Sequence, residues 1–453
     1  MDAGKIANNM INAPLLPVAK KPDGAGEEGP GAAGDAFVPS EAGDGSPSFD
    51  GKARDWTVLM YLNSNGGLQQ FFADNVRAAS LLGSDDKINF VGQMSFIDYE
   101  GFVGGMQDRW ERKLYRPSEV RDFEYISHSV SYGKDSNSDM GCEDTLRDFV
   151  AWGMKTFPAE HYLLLLGGHG GGFVGAMPNR ENSSCITAPA LESALKSATD
   201  EAGRKIDVLV MESCLMGNAE TAYAVKDSAR YYAASEETIP ATKVSIYSVL
   251  SKLKNEANGD GLTVEEACSA VMEGFGEAPT FSITDCNAMP GFAERLREFS
   301  HALMNTGTPA EVIKESFGKA QRYNLKNDDS ELNKPGRQMR DVVSLCLQIA
   351  ANPLIMDEGL KEQARMTARH VLETVVMAKS YDRDLAKESL DYSGSNGISI
   401  YAPTSGVDLK PAIDADGSGS LGELYSKTSL ARDTGWDAVV KKYGVQADVG
   451  NQS

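Results

Sequence analysis

The chain has 453 residues, enough for two or three domains, and 41% of them are hydrophobic, as in an ordinary globular protein. Lys+Arg total 44 against 65 Asp+Glu, a formal net charge of −21, which argues against nucleic acid or an anionic membrane as a partner because both need a basic face. No run of about 18 apolar residues exists, so no membrane span is expected, and the six cysteines form neither a CxxC nor a zinc-finger spacing and are too few for a disulfide scaffold.

Residues 1–52 read as a flexible leader or propeptide. The stretch from Lys21 to Gly51 is rich in Gly, Ala, Pro and acidic residues, and it holds too little apolar area to offset the entropy of ordering it. The best apolar stretch before it, Ala13 to Ala19, is broken by Pro14 and Pro17, so no signal-peptide hydrophobic region is recognisable and the compartment stays open. Order is expected from Trp56. The pattern predicts a core strand from Trp56 to Leu62, a helix from Leu68 to Leu82, a strand from Lys87 to Met94, and an accessory hairpin around Trp110–Leu114 and Phe123–Ser131. A helix follows from Cys142 to Phe157, with Leu146, Phe149, Val150 and Met154 on one face and Pro158 as its stop. Next come an apolar strand, Tyr162 to Leu166, a helix from Pro189 to Ala202, a second apolar strand, Ile206 to Met211, a helix from Gly217 to Ala229 and a strand from Tyr231 to Ser235. Beyond about Val249 the pattern turns mostly helical, with a late strand at Gly397–Pro403 and a last helix from Trp436 to Tyr443. Alternating strands and helices predict a doubly wound α/β/α sandwich over residues 53–249, with residues 250–453 packing on it as a mostly helical extension.

Two strand ends carry the chemistry. One apolar run leads into Gly167-Gly168-His169-Gly170-Gly171-Gly172, the other into Glu212-Ser213-Cys214-Leu215-Met216-Gly217. Open α/β sheets place their chemistry at the carboxyl ends of strands, so these two ends can bring an imidazole and a thiol to one crevice, the pair a cysteine hydrolase needs. The expected helix after Cys214 favours a thiolate, and the amides of Gly170 and Cys214 are the expected oxyanion donors. A competing pattern, Gly170-x-Gly172-x-x-Gly175 with Glu192 twenty residues further on, matches a dinucleotide fingerprint, but it runs into a loop instead of opening a helix.

At this point the chain resembles the clostripain-like cysteine peptidases, relatives of the caspases, gingipains and legumain. The resemblance rests on Trp56–Asn63, Thr145–Val150 with Phe157-Pro158-Ala159, the His169 and Cys214 motifs, Gly397–Tyr401 with Pro403, and Thr434–Asp437 with Tyr443, in that order along the chain. It implies a caspase-like sandwich and an endopeptidase with a Cys214–His169 dyad acting on peptide or protein substrates. It also implies preference for Arg or Lys before the scissile bond, with Glu212 standing where the family usually has Asp, and Ser235 lining the same pocket. A second pocket acid has no clear match: Glu236 and Glu237 lie near, and Thr242-Lys243 falls at about the position. Maturation by self-cleavage between the two motif strands points to Arg180. No cofactor is required; calcium is the candidate ion, since Asp414, Asp416 and Ser418 give half of an EF-hand loop, although its twelfth position is Tyr425, with Glu423 nearby. The alternatives are a catalytically silent, peptide-binding scaffold of the same fold and a dinucleotide-binding protein.

Overall fold

A computed structural model describes residues 51–65, 67–97, 108–115, 119–121, 124–126, 129–135, 139–179, 184–240, 244–259, 261–324, 334–372, 376–381, 391–404 and 421–444. The expected leader lies outside them up to residue 50.

In chain order the first half runs β1 (Arg54–Leu62), α1 (Gln69–Leu82), β2 (Ile88–Ile97), β3 (Asp108–Tyr115), a short β4–β5 ribbon (Glu119–Arg121, Glu124–Ile126), β6 (Ser129–Asp135), α2 (Glu143–Thr156), β7 (Ala159–Gly167), the β8–β9 hairpin (Ala176–Asn179, Ser184–Ile186), α3 (Ala188–Ala202), β10 (Ile206–Glu212), α4 (Ala219–Ala224) and β11 (Ala229–Ala234). The second half runs α5 (Ile246–Ala257), α6 (Val264–Gly274), β12 (Thr280–Asp285), α7 (Met289–Asn305), α8 (Ala310–Lys319), β13 (Met339–Asp341), α9 (Val342–Ala351), α10 (Glu358–His370), β14 (Val376–Tyr381), β15 (Ser399–Tyr401) and the short helices α11 (Leu421–Ser426), α12 (Ser429–Thr434) and α13 (Trp436–Gly444).

A nine-stranded sheet orders these as β14-β12-β11-β10-β7-β1-β2-β3-β6. The central strands, β11 through β2, are parallel, and the strands at both wings are antiparallel. Parallel strands must be covered on both faces, which is why β1, β7 and β10 are near-continuous apolar runs. Their side chains alternate between two cores. Leu59, Tyr61, Leu164, Leu166, Leu209 and Met211 join the core beneath α2, α3 and the C-terminal helices. Val58, Met60, Leu163, Leu165, Val208 and Val210 join the opposite core with residues of α1, α5 and α6.

The expected accessory hairpin is instead a continuation of the sheet: β3 pairs with β2 and β6 with β3, both antiparallel. The C-terminal region likewise contributes β12 and β14 to the other wing. β15 pairs with β13, and its Ser399 also bridges to Asn218 just ahead of α4. Trp436 Nε1 then donates to the Tyr401 carbonyl (2.8 Å) and Tyr443 Oη to that of Leu303 (2.6 Å), which ties the last helix to this ribbon and to α7. Between β1 and β7 the strand order reverses, the point at whose carboxyl-end edge open sheets of this kind place their sites.

Candidate active site

Register fixes the site. β7 and β10 are parallel neighbours, and Glu212 pairs with Gly167. His169 and Cys214 each lie two residues past that pair, so they leave the same edge of the sheet on adjacent strands at the same level. Their turns touch: a Cβ on Gly170 would sit 2.3 Å from the Cys214 carbonyl oxygen and 3.0 Å from the Ser213 Cβ, so only glycine permits the approach. Both side chains are half-buried.

The His169 turn is held by its own chain. Met177 N donates to the His169 carbonyl (2.8 Å) and Gly171 N to Gly175 (2.9 Å), closing a small hairpin in which Gly170 faces Ala176. In that antiparallel arrangement the Gly170 amide points out of the ladder. The glycine run passes through a 3₁₀ turn, Gly172–Val174, into β8, so no helix opens there to bind a pyrophosphate.

The Cys214 turn is held from elsewhere. Gly217 N donates to the Ser235 carbonyl (2.7 Å) and Leu215 N to that of Glu237 (3.2 Å). Ile239 N approaches the Cys214 Sγ at 3.4 Å. Leu215 itself is left-handed, with φ of 64°. Among the described residues the other non-glycines with positive φ are Met177 and Asn324. Met177 follows the His169 hairpin, and Asn324 donates its amide to Glu237 Oε1 (3.1 Å), so the strained backbone gathers round this edge of the sheet.

The helix expected from Gly217 to Ala229 is shorter. α4 has six residues and begins at Ala219, with the Asn218 side chain capping Thr221 N. The reason is local competition: Asn218 Nδ2 also donates to the carbonyls of Leu215 (3.1 Å) and Met216 (3.2 Å), which holds the segment in a turn. Cys214 therefore stands a full turn ahead of the helix, and the amide facing its sulfur is that of Ile239.

A sequence model of the clostripain family matches residues 85–406. The chain belongs to the clostripain family. It is a cysteine peptidase, a hydrolase of peptide substrates, and its α/β/α fold agrees. The structure of an inactive zymogen C11 protease from Parabacteroides distasonis is 18% identical, with a TM-score of 0.57 over 84% of this chain and 99% of that one. A secreted C11 cysteine protease from Bacteroides thetaiotaomicron, in complex with an irreversible peptide inhibitor, is 13% identical, with a TM-score of 0.55 over the same shares of the two chains. At these identities the likeness concerns the fold. No curated protein sequence matches the chain.

Within this clostripain-family fold the other expected site residues are scattered. Glu212 is only 5% exposed and lies on the α1 face of the sheet, as its alternation with Val208 and Val210 requires. Its Oε2 accepts Asn75 Nδ2 from α1 (2.9 Å), while Oε1 is buried without a partner. Burial pushes this carboxyl up to about 8, the Asn75 hydrogen bond pulling weakly the other way. Asn75 was missed by sequence reasoning; nothing in a helix marks one buried amide as an acid's partner. Ser235 is fully buried, with its hydroxyl against Thr280 Oγ1 (2.9 Å) and its carbonyl accepting Gly217 N behind the Cys214 turn. Glu236 and Glu237 are buried too, and their carboxyls meet residues of the C-terminal region. Arg180, Thr242-Lys243 and the candidate calcium ligands Asp414, Asp416 and Ser418 lie outside the described residues. Among the described residues no group of three or more His, Cys, Asp or Glu is placed to hold a metal ion.

Proposed function

We propose that this peptidase is an endopeptidase with Cys214 as nucleophile and His169 as its acid–base partner, cutting after Arg or Lys. The observation that carries the reading is the Glu212–Gly167 pairing, which sets the two side chains level at the edge of adjacent strands. His169 takes the thiol proton, and the Cys214 sulfur attacks the scissile carbonyl. The oxyanion meets the amides of Gly170 and Cys214. His169 then protonates the leaving amine, and water, deprotonated by His169, hydrolyses the thioester and restores the thiol.

Support for a basic residue before the cut comes from Glu212. Its partnerless Oε1 is a buried acceptor, and a guanidinium or ammonium supplies both the missing hydrogen bond and the charge that ionises the acid. Self-cleavage at Arg180 is part of the same reading. The flanking residues Asn179 and Ser184 pair with each other, and both bond to the Asp139 carboxylate, so the two new ends would stay anchored after a cut. No cofactor enters these steps; Asp414, Asp416 and Ser418 remain the candidate calcium ligands, tested by assay with calcium and with a chelator.

The deciding experiment offers fluorogenic peptides to the wild type and to Cys214→Ala. Cleavage after Arg or Lys that vanishes in the variant supports the whole reading. Cleavage after another residue keeps the dyad and removes the pocket assignment. Inactivity of the wild type, with or without residues 1–50, favours a binding scaffold.

A further inference from the structure

Residues 235–239, which leave the end of β11, face two ways. Toward the site, the Ser235 and Glu237 carbonyls and the Ile239 amide grip Gly217, Leu215 and the Cys214 sulfur. Away from it, Glu236 enters the C-terminal region. Its Oε1 accepts the Tyr323 hydroxyl (2.7 Å) and its Oε2 the Gly397 amide (3.0 Å), next in the chain to the Asn396 amide that Asp341 accepts, so the two carboxyls lie side by side. Asp341 caps α9 through Ser344 N (2.6 Å) and accepts both the backbone amide (2.6 Å) and the side-chain amide (2.9 Å) of Asn396. Glu236 is 1% exposed and Asp341 0%.

Two buried carboxyls held side by side take one proton between them, because two buried like charges repel. The other titratable groups facing them are Tyr323 and, on α9, Cys346. The Arg340 guanidinium is spent on the carbonyls of Phe317, Arg337 and Met339. Tyr323 and Cys346 are held in their neutral forms by burial and by the neighbouring carboxyls. A proton therefore keeps the pair together, and burial together with the Asp341 carboxyl holds the Glu236 proton on well above the usual carboxylate range.

We propose that Glu236 and Asp341 are a positioning pair. By sharing one proton they fasten residues 235–239 to the C-terminal region and so hold the Ile239 amide and the Leu215 turn in the geometry that Cys214 needs. The inference rests on Cys214 as the nucleophile. Loss of the shared proton at alkaline pH separates the carboxyls and loosens the segment, so kcat falls for every substrate, whatever residue precedes the cut.

Activity present in the wild type and absent in Cys214→Ala establishes the underlying reading separately. The pair is then tested with Glu236→Gln and Asp341→Asn. Glu236→Gln replaces the proton that can be lost with an amide hydrogen, and Asp341→Asn removes the second charge whose repulsion would separate the pair. The wild type should show an alkaline fall in kcat that both variants lack, with the acid limb unchanged. Glu236→Ala should lower kcat about tenfold with little change in KM. A folded Gln or Asn variant that reproduces the wild-type alkaline limb overturns the proposal. Should neither fold, the wild type carries the test. Alkylation of Cys214 by iodoacetamide should decline as the pH is raised into the alkaline range, against the rise that thiol ionisation alone produces, and a steady rise overturns the proposal.

Discussion

The two turns that meet at the site are built in opposite ways. The His169 turn is closed within nine residues by hydrogen bonds of its own hairpin. The Cys214 turn leans on residues 235–239, and these in turn on Tyr323, Asn324, Asp341 and Gly397. A locally closed turn keeps its shape when distant packing is disturbed. A turn braced from a hundred residues away can be tuned, or lost, by changes that never touch the chemistry.

The largest expected effects fall on both turns alike. His169→Ala and Cys214→Ala should each lower kcat/KM by about 10⁴-fold or more, and the double variant should be no worse than either, because the two act as a unit. Unequal losses would mean that one residue acts without the other. Next come the glycines. A methyl on Gly170 meets the Cys214 carbonyl at 2.3 Å, and one on Gly217 meets the backbone of Glu236 and Ser235 at 2.7 Å. Each alanine variant should cost about 1–3 kcal/mol in denaturant unfolding. Only Gly217→Ala should also change how strongly activity depends on the C-terminal region, read as sensitivity of kcat to Glu236→Gln in the double variant.

Smaller effects concern Glu212. Asn75→Ala removes its one hydrogen bond and should destabilise the fold by about 1–3 kcal/mol, together with a fall in discrimination for Arg over a neutral residue before the cut. In the wild type that discrimination should rise with pH through about 8, because the carboxyl is neutral below this value and attracts a cation only once ionised. A ratio of kcat/KM values that stays flat between pH 6 and 9 removes Glu212 from the pocket. For stability the sign is opposite. Folding raises this pKa, so the site's contribution is fully present below the unfolded value near 4.5 and is lost as pH rises through about 8.

Much of this was legible because it follows from periodicity. β1, β7 and β10 announce themselves as unbroken apolar runs, and the two motif residues sit where such strands must end. β12 was not legible: Thr280-Phe281-Ser282-Ile283-Thr284-Asp285 mixes hydroxyls with apolar residues, and the hydroxyls find partners only in the folded chain, as Ser282 does at Gly397 and Thr280 at Ser235. The long helix expected after Cys214 failed for a related reason, since Ala219 to Ala229 is helix-favouring composition overridden by turns at both ends. In the sequence Glu236 lies only near the position of a second pocket acid, and Asp341 carries no mark. Nothing local says that they meet, because their pairing depends on how the C-terminal region docks.

The docking of β15 beside the Cys214 turn also sets an order in time. Ser399 N bonds to the Gly217 carbonyl (2.9 Å), and Gly397 N to Glu236, so the brace is made of residues translated long after residue 214. At about 5–20 residues per second, a ribosome needs on the order of ten to forty seconds to pass from one to the other. For that interval the growing chain carries its thiol without the strand that seats it, and its neighbours on the polysome are spared a finished protease.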